Sequence, residues 1–91
     1  MSEISFNVTY DRLTDVLYIS ALKAASTKGV EDKYGIVWRY GADGNLVGAT
    51  VVDFRELWSE KTENLAKELA WHFEVPTVQA LNIIEHALDR T

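Results

Sequence analysis

The sequence predicts an α+β fold: an antiparallel β-meander of about four strands, followed by two C-terminal helices packed on the sheet. Three observations predict it. Residues 34–54, YGIVWRYGADGNLVGATVVDF, set two β-rich runs around a short turn rich in Gly and Asp, as in a β-hairpin. Apolar residues recur at period two up to about residue 54, and at period 3.6 from Ser59 onward. Pro76 then breaks the helical pattern and restarts it, because proline suits the first turn of a helix.

Element by element, residues 5–10 place Phe6, Val8 and Tyr10 on one strand face. Asp11, Arg12, Leu13, Thr14 and Asp15 form a short connection to a second strand at residues 16–20, which must return antiparallel. Residues 22–26, LKAAS, suit either a strand extension or a helical turn, and residues 28–32 suit an edge strand. In the hairpin, Tyr34, Ile36, Trp38 and Tyr40 share one face, while Gly35, Val37 and Arg39 share the other. A two-residue Asp43-Gly44 turn would set Trp38 opposite Ala49. A type I turn with Gly44 in the left-handed region would set Trp38 opposite Gly48 and is favoured, with Leu46 and Val52 joining the aromatic face. Ser59 is the expected N-cap of the first helix, with Glu60 and Glu63 in its first turn. Thr62, Leu65, Ala66, Leu69 and Phe73 form that helix's apolar side, and the second helix spans residues 77–89. The whole chain, 1–91, reads as one domain, with a β-meander over 5–54 and a helical hairpin over 59–89.

Composition narrows the function classes. A chain of 91 residues buries only about 60–65% of its unfolded surface, so stability is modest. It is 47% hydrophobic and 25% charged, with one Pro and five Gly, which argues against disorder. The net charge of −5 repels phosphate backbones and suits a basic protein partner better than nucleic acid. Without cysteine there is no disulfide, thiolate nucleophile or Cys-ligated metal. The opening MSEISFNVTY has no basic region and apolar run of a signal peptide, and no apolar stretch approaches ~18 residues, so a cytoplasmic protein with no membrane span is expected.

Two segments carry a family resemblance. Tyr10-Asp11 followed by Asp15-Val16-Leu17-Tyr18-Ile19 resembles an opening "YD…DALYI" strand pair. Gly35-Ile36-Val37, then Tyr40, Asp43, Gly44, Leu46, Val47, Gly48 and Asp53, resembles a "G-V-V…Y-D-x-x-G-x-L-V-G-I-E-I-L-D" hairpin. Both belong to the uncharacterised family numbered 2283 among domains of unknown function, and the resemblance covers residues 5–54. Arg39 departs from a position that is often acidic, the spacer is long, and the helical half exceeds the family's usual short tail. The resemblance implies a β-meander module of unestablished biochemistry. By analogy it also implies an antitoxin-like partner of a small toxin.

No constellation for catalysis or metal binding emerges. Asp11, Asp15 and Asp43 sit in turns, where Asp satisfies nearby backbone groups, and Asp53 ends a strand. Asp43-Gly44-Asn45 is only a fragment of a calcium loop, which needs ligands over twelve residues and a closing Glu. His72 and His86 lie on different helices, lack HxxxH spacing and read as boundary or surface residues. There is no GxSxG turn and no phosphate loop. The segment from Lys67 to Val78 has a helix-turn-helix outline, but its second helix presents Gln79 and Asn82 beside Glu85 and Asp89, with Arg90 its sole basic residue. No cofactor is expected, and the chain reads as non-enzymatic.

Apolar surface in excess is the functional signal. Trp71 lies opposite the apolar centre of its helix, among Glu60, Lys67, Glu68 and Glu74. The last helix is apolar over roughly 220°, against little more than 100° for a one-sided surface helix. Trp71, Ile83, Ala87 and Ala80 are therefore candidate interface residues of a homodimer. The expected function is a non-enzymatic interaction module, homodimeric and antitoxin-like, that binds a basic protein partner. The alternative is a small-ligand-binding or catalytic domain whose groove is lined by Tyr34, Trp38 and Tyr40 on the aromatic sheet face.

Overall fold

Side chains alternate across a strand, so each strand's apolar set chooses the face that the helices must cover. The computed structural model describes residues 6–21 and 25–89. It contains β1 (Asn7–Asp11), β2 (Val16–Ser20), β3 (Lys28–Glu31), β4 (Ile36–Tyr40), β5 (Leu46–Val52), α1 (Phe54–Trp58), α2 (Thr62–Phe73) and α3 (Thr77–Asp89). One sheet face carries Leu17, Ile19, Ile36, Trp38, Ala49 and Val51, all buried in a core shared with Phe54, Leu65, Leu69, Ala80 and Ile84 of the helices. Val8 and Tyr10 of β1 pack partly buried against the same core.

The fold class is α+β with an antiparallel sheet and C-terminal helices, as the sequence predicts, but the sheet differs in two respects. It has five strands, and the edge segment at residues 28–32 is the fifth, β3. Its order is β1-β2-β5-β4-β3, so the strands do not follow one another as a simple meander. β5 is buried from Val47 through Val51, on both faces. A strand with no solvent on either side belongs where both backbone edges are hydrogen-bonded, and β5 accordingly sits between β2 and β4. β3 follows β2 in the chain but lies at the far edge of the sheet; the Ala21 amide donates to the Val47 carbonyl (2.8 Å) and the Thr27 amide to the Tyr40 carbonyl (2.9 Å). Ser5 of the first strand and residues 22–24 of the LKAAS reading lie outside the described residues.

The hairpin combines both predicted registers. Its turn is the favoured one: the Gly44 amide donates to the Gly41 carbonyl (3.0 Å) and Gly44 has φ 84°. A second irregularity follows, since Tyr40 pairs with Leu46 but Arg39 with Gly48. That extra residue, Val47, shifts the register by one, so Trp38 opposes Ala49 and not Gly48. The reason is the core. The shift buries Ala49 and Val51 beside Trp38, whereas the unshifted register would have buried Thr50 there. Leu46 still packs on the core, but Val52 is exposed.

The helical half begins earlier than its period suggests. The five residues of α1 follow β5 directly, and Ser59 closes that helix; it does not cap the next one. α2 starts after Lys61, which makes no side-chain cap. Leu65, Ala66, Leu69, Ala70 and Phe73 form its buried stripe. α2 lies over β4, where His72 stacks on Trp38 (3.7 Å between centroids) and Phe73 meets it edge-on. α3 packs beside α2 and over β1. The Pro76 carbonyl accepts its first hydrogen bonds, from Gln79 and Ala80. Among the described residues no helix is long and apolar enough to cross a membrane.

Candidate functional site

The sequence-selected carboxylates hold backbone in place. Asp11 accepts from the Leu13 amide (3.0 Å) and Asp43 from the Asn45 amide (3.1 Å), both within their turns. Asp53 adopts φ 55° and makes no side-chain cap to α1. Asp15 does that work from the neighbouring β1–β2 turn, since Val16 pairs with Val52. Its Oδ1 accepts from the Tyr10 hydroxyl (2.6 Å) and the Arg55 amide (2.8 Å), and its Oδ2 from the Glu56 amide (3.2 Å). Partial burial opposes ionisation of Asp15, but these donors and the Arg55 charge outweigh it and hold the carboxyl below the usual carboxylate range. Burial, reinforced by Asp15, pushes the Tyr10 hydroxyl above its ordinary value.

Asp32, which sequence reasoning did not single out, plays the same role at the β3–β4 turn. Its Oδ1 accepts from the Tyr34 and Ile36 amides (2.8 and 3.1 Å), and its Oδ2 from the Trp38 indole N–H (2.9 Å). Burial pushes its carboxyl up, yet the Trp38, Ile36 and Tyr34 donors, with nearby His72, leave it lowered overall. The signal was present in Asp32-Lys33-Tyr34-Gly35, a turn sequence with Asp first and Gly last.

The predicted aromatic groove residues separate. Trp38 is 2% exposed beneath α2, and Tyr40 packs partly buried against the core. Tyr34 is 45% exposed at the opposite end of the strand and meets Trp58 edge-on (6.3 Å). The predicted interface residues separate too. Ala80 and Ala87 are buried in the protein's own core, where a small side chain lets α3 approach closely, and Ile83 is half-buried against that core. Trp71 stands apart at 80% exposed, in the last turn of α2. Val78, 67% exposed in the first turn of α3, lies across the short α2–α3 turn from it. His72 is held at a boundary by its stacking and by Nδ1 at 3.0 Å from the Glu68 carbonyl, while His86 is exposed. Among the described residues no three His, Cys, Asp or Glu side chains gather to hold a metal ion.

A cavity of about 460 Å³ opens where the β3–β4 turn, α1 and the start of α2 meet. Tyr34, Leu57 and Trp58 give it apolar walls, and Lys33, Lys61 and Lys67 surround it. Lys33 Nζ lies 5.2 Å from the centre of the Tyr34 ring. The Trp58 indole N–H is buried and has no hydrogen-bond partner among the described residues. Sequence reasoning missed this cavity because Lys33 comes from the β3–β4 turn, far in sequence from Lys61 and Lys67 of α2 and its N-cap.

The family described as "Protein of unknown function (DUF2283)" matches residues 7–55. Those residues comprise all five strands and the start of α1. No curated protein and no solved structure matches the chain.

Proposed function

From the premise that the chain belongs to the DUF2283 family, whose function is unknown, we propose that it is a non-enzymatic protein-interaction module that self-associates through its helical half. The observation that carries this reading is Trp71, 80% exposed on a helix whose opposite side is fully engaged in the core. Tryptophan is enriched among the residues that dominate interface energetics, and leaving one in water forgoes a large apolar contribution. Val78, 67% exposed, adds a second exposed apolar side chain just past the α2–α3 turn. Leu81, Ile83 and Leu88 pack partly buried against the protein's own core, so Trp71 and Val78 are the exposed large apolar side chains among the described residues of α2 and α3.

A second reading is favoured by charge. Glu68 and Glu74 lie one turn to either side of Trp71, in a chain of net charge −5, and this surround suits a basic protein partner. The antitoxin-like role implied by the family resemblance is the specific form of that reading.

Sedimentation equilibrium of the protein and of Trp71→Ala/Val78→Ser tests the proposal. Self-association gives twice the 10.3 kDa chain mass for the protein and the single-chain mass for the double variant, with far-UV circular dichroism unchanged. A single-chain mass for both, at concentrations up to roughly 100 μM, rejects self-association; a tighter dimer would have been detected. Stoichiometric capture of a small basic protein, lost in the same variant, would then support the second reading.

A further inference from the structure

We propose that the cavity between the β3–β4 turn, α1 and α2 is a binding site for a small organic anion with a flat apolar body. Three independent features converge on that chemistry. The first is charge: Lys33, Lys61 and Lys67, three of the nine basic residues of an acidic chain, line one cavity against a single carboxylate, Glu68. The long-range field of the protein is negative, so a cationic cavity is a local arrangement that composition does not produce.

The second feature is the start of α2. Lys61 occupies its N-cap position and supplies no side-chain acceptor, so first-turn amides are left without that partner. The positive end of a twelve-residue helix therefore adds to the lysine charge at the mouth of the cavity. The third is Trp58. Its ring forms a wall, and its buried N–H lacks an acceptor among the described residues. Buried indole donors are ordinarily satisfied, and a small shift of this wall would let an anionic oxygen in the cavity accept from it.

The apolar walls specify the rest of the ligand. Tyr34 and Trp58 stand edge to face, and Leu57, 49% exposed, completes an open apolar side. The volume of about 460 Å³ falls within the range of small-molecule clefts, roughly 300–1,000 Å³. A carboxylate, sulfonate or phosphate head would lie among the ammonium groups and the helix start, with a planar body against the rings.

The test uses anilinonaphthalene sulfonate as the anionic probe and N-phenylnaphthylamine as its uncharged counterpart, in fluorescence titrations of the full chain. The site predicts one saturable sulfonate site per chain and binding of the uncharged probe roughly tenfold weaker or worse. Lys61→Glu/Lys67→Glu, both on exposed positions, should weaken sulfonate binding by roughly tenfold or more while near-UV circular dichroism stays unchanged. Trp71→Ala should leave the titration as it was, which separates this site from the proposed protein interface. Equal affinity for the two probes, no effect of the charge reversal, loss of binding in Trp71→Ala, or no binding at all would each overturn the assignment.

Discussion

Gly48 lies where two central strands approach too closely for a side chain. A Cβ there would stand 2.6 Å from the Ile19 carbonyl oxygen and 3.5 Å from Ser20 Cα, both backbone atoms of β2. Neither neighbour is a flexible side chain that could swing away, so a methyl group must displace a strand. Gly48→Ala should cost about 1–3 kcal/mol, read as a lower urea midpoint at unchanged slope. A midpoint within error of the parent protein would show that β2 yields without penalty. The favoured turn read from the sequence sets this glycine opposite Trp38. The residue that faces Trp38 is Ala49, and Gly48 faces Arg39 and Ser20. A glycine in a strand announces a close approach, but the identity of the approaching group depends on register, and here one extra residue at Val47 decides it.

At the scale of elements, legibility followed length and locality. β1, β2, β4, β5, α2 and α3 each carry enough residues to display a period, and all were readable. α1 has five residues, too few to show one, and its cap comes from Asp15, 40 residues earlier in the chain. No local pattern reports a cap supplied from that distance. The α2–α3 turn offers a test of local chemistry. Glu74 ends α2 with φ 57°, in the left-handed region where glycine is the common choice, and its side chain is exposed. The left-handed conformation costs a non-glycine residue about 1–2 kcal/mol. Glycine would remove that strain but lose more chain entropy on folding, which takes back about 0.5–1 kcal/mol. Glu74→Gly should therefore stabilise the protein by roughly 0.5–1 kcal/mol, a rise of about 2–8 °C in Tm by calorimetry. A fall in Tm would mean that the Glu74 side chain supports the turn in a way its exposure does not suggest. This position borders Trp71, so the substitution also removes one of the two carboxylates that favour a basic partner there.

Two carboxylates tie the molecule together, Asp15 across 40 residues of chain and Asp32 within the β3–β4 hairpin. Asp15 links β1 and the β1–β2 turn to α1, and Asp32 links the β3–β4 turn to the Trp38 side chain beneath α2. The candidate site was less legible than the fold for the same reason: its lysines and aromatic walls converge only after β5 delivers α1 beside the β3–β4 turn. Trp71 could be read because a single helical wheel places it; the cavity could not. The two carboxylates also set how stability depends on pH. Asp15 and Asp32 both have folded pKa values below their ordinary value, despite the opposing effect of burial, because donors and nearby positive charge favour the ionised form. Each therefore contributes stability that is fully present above the unfolded Asp value of about 3.9 and is lost as pH falls through the folded values. Tyr10 works in the opposite direction. Burial and then Asp15 raise its folded value, so its contribution is present below about pH 10 and is lost as pH rises through that raised value. Urea midpoints should accordingly form a plateau across neutral pH, with an acid limb beginning below about pH 5 and an alkaline limb beginning near pH 10. Asp15→Asn keeps a side chain that tolerates the left-handed backbone at this position, φ 58°, but removes the charge. It should lower the plateau by about 1–2 kcal/mol, flatten the acid limb and reduce the alkaline one in part, since burial of the Tyr10 hydroxyl remains when Asp15 is neutral. Asp32→Asn should flatten the acid limb alone. If Asp15→Asn left the alkaline limb unchanged, the Tyr10–Asp15 contact would not be the element that couples the two ends of the pH range.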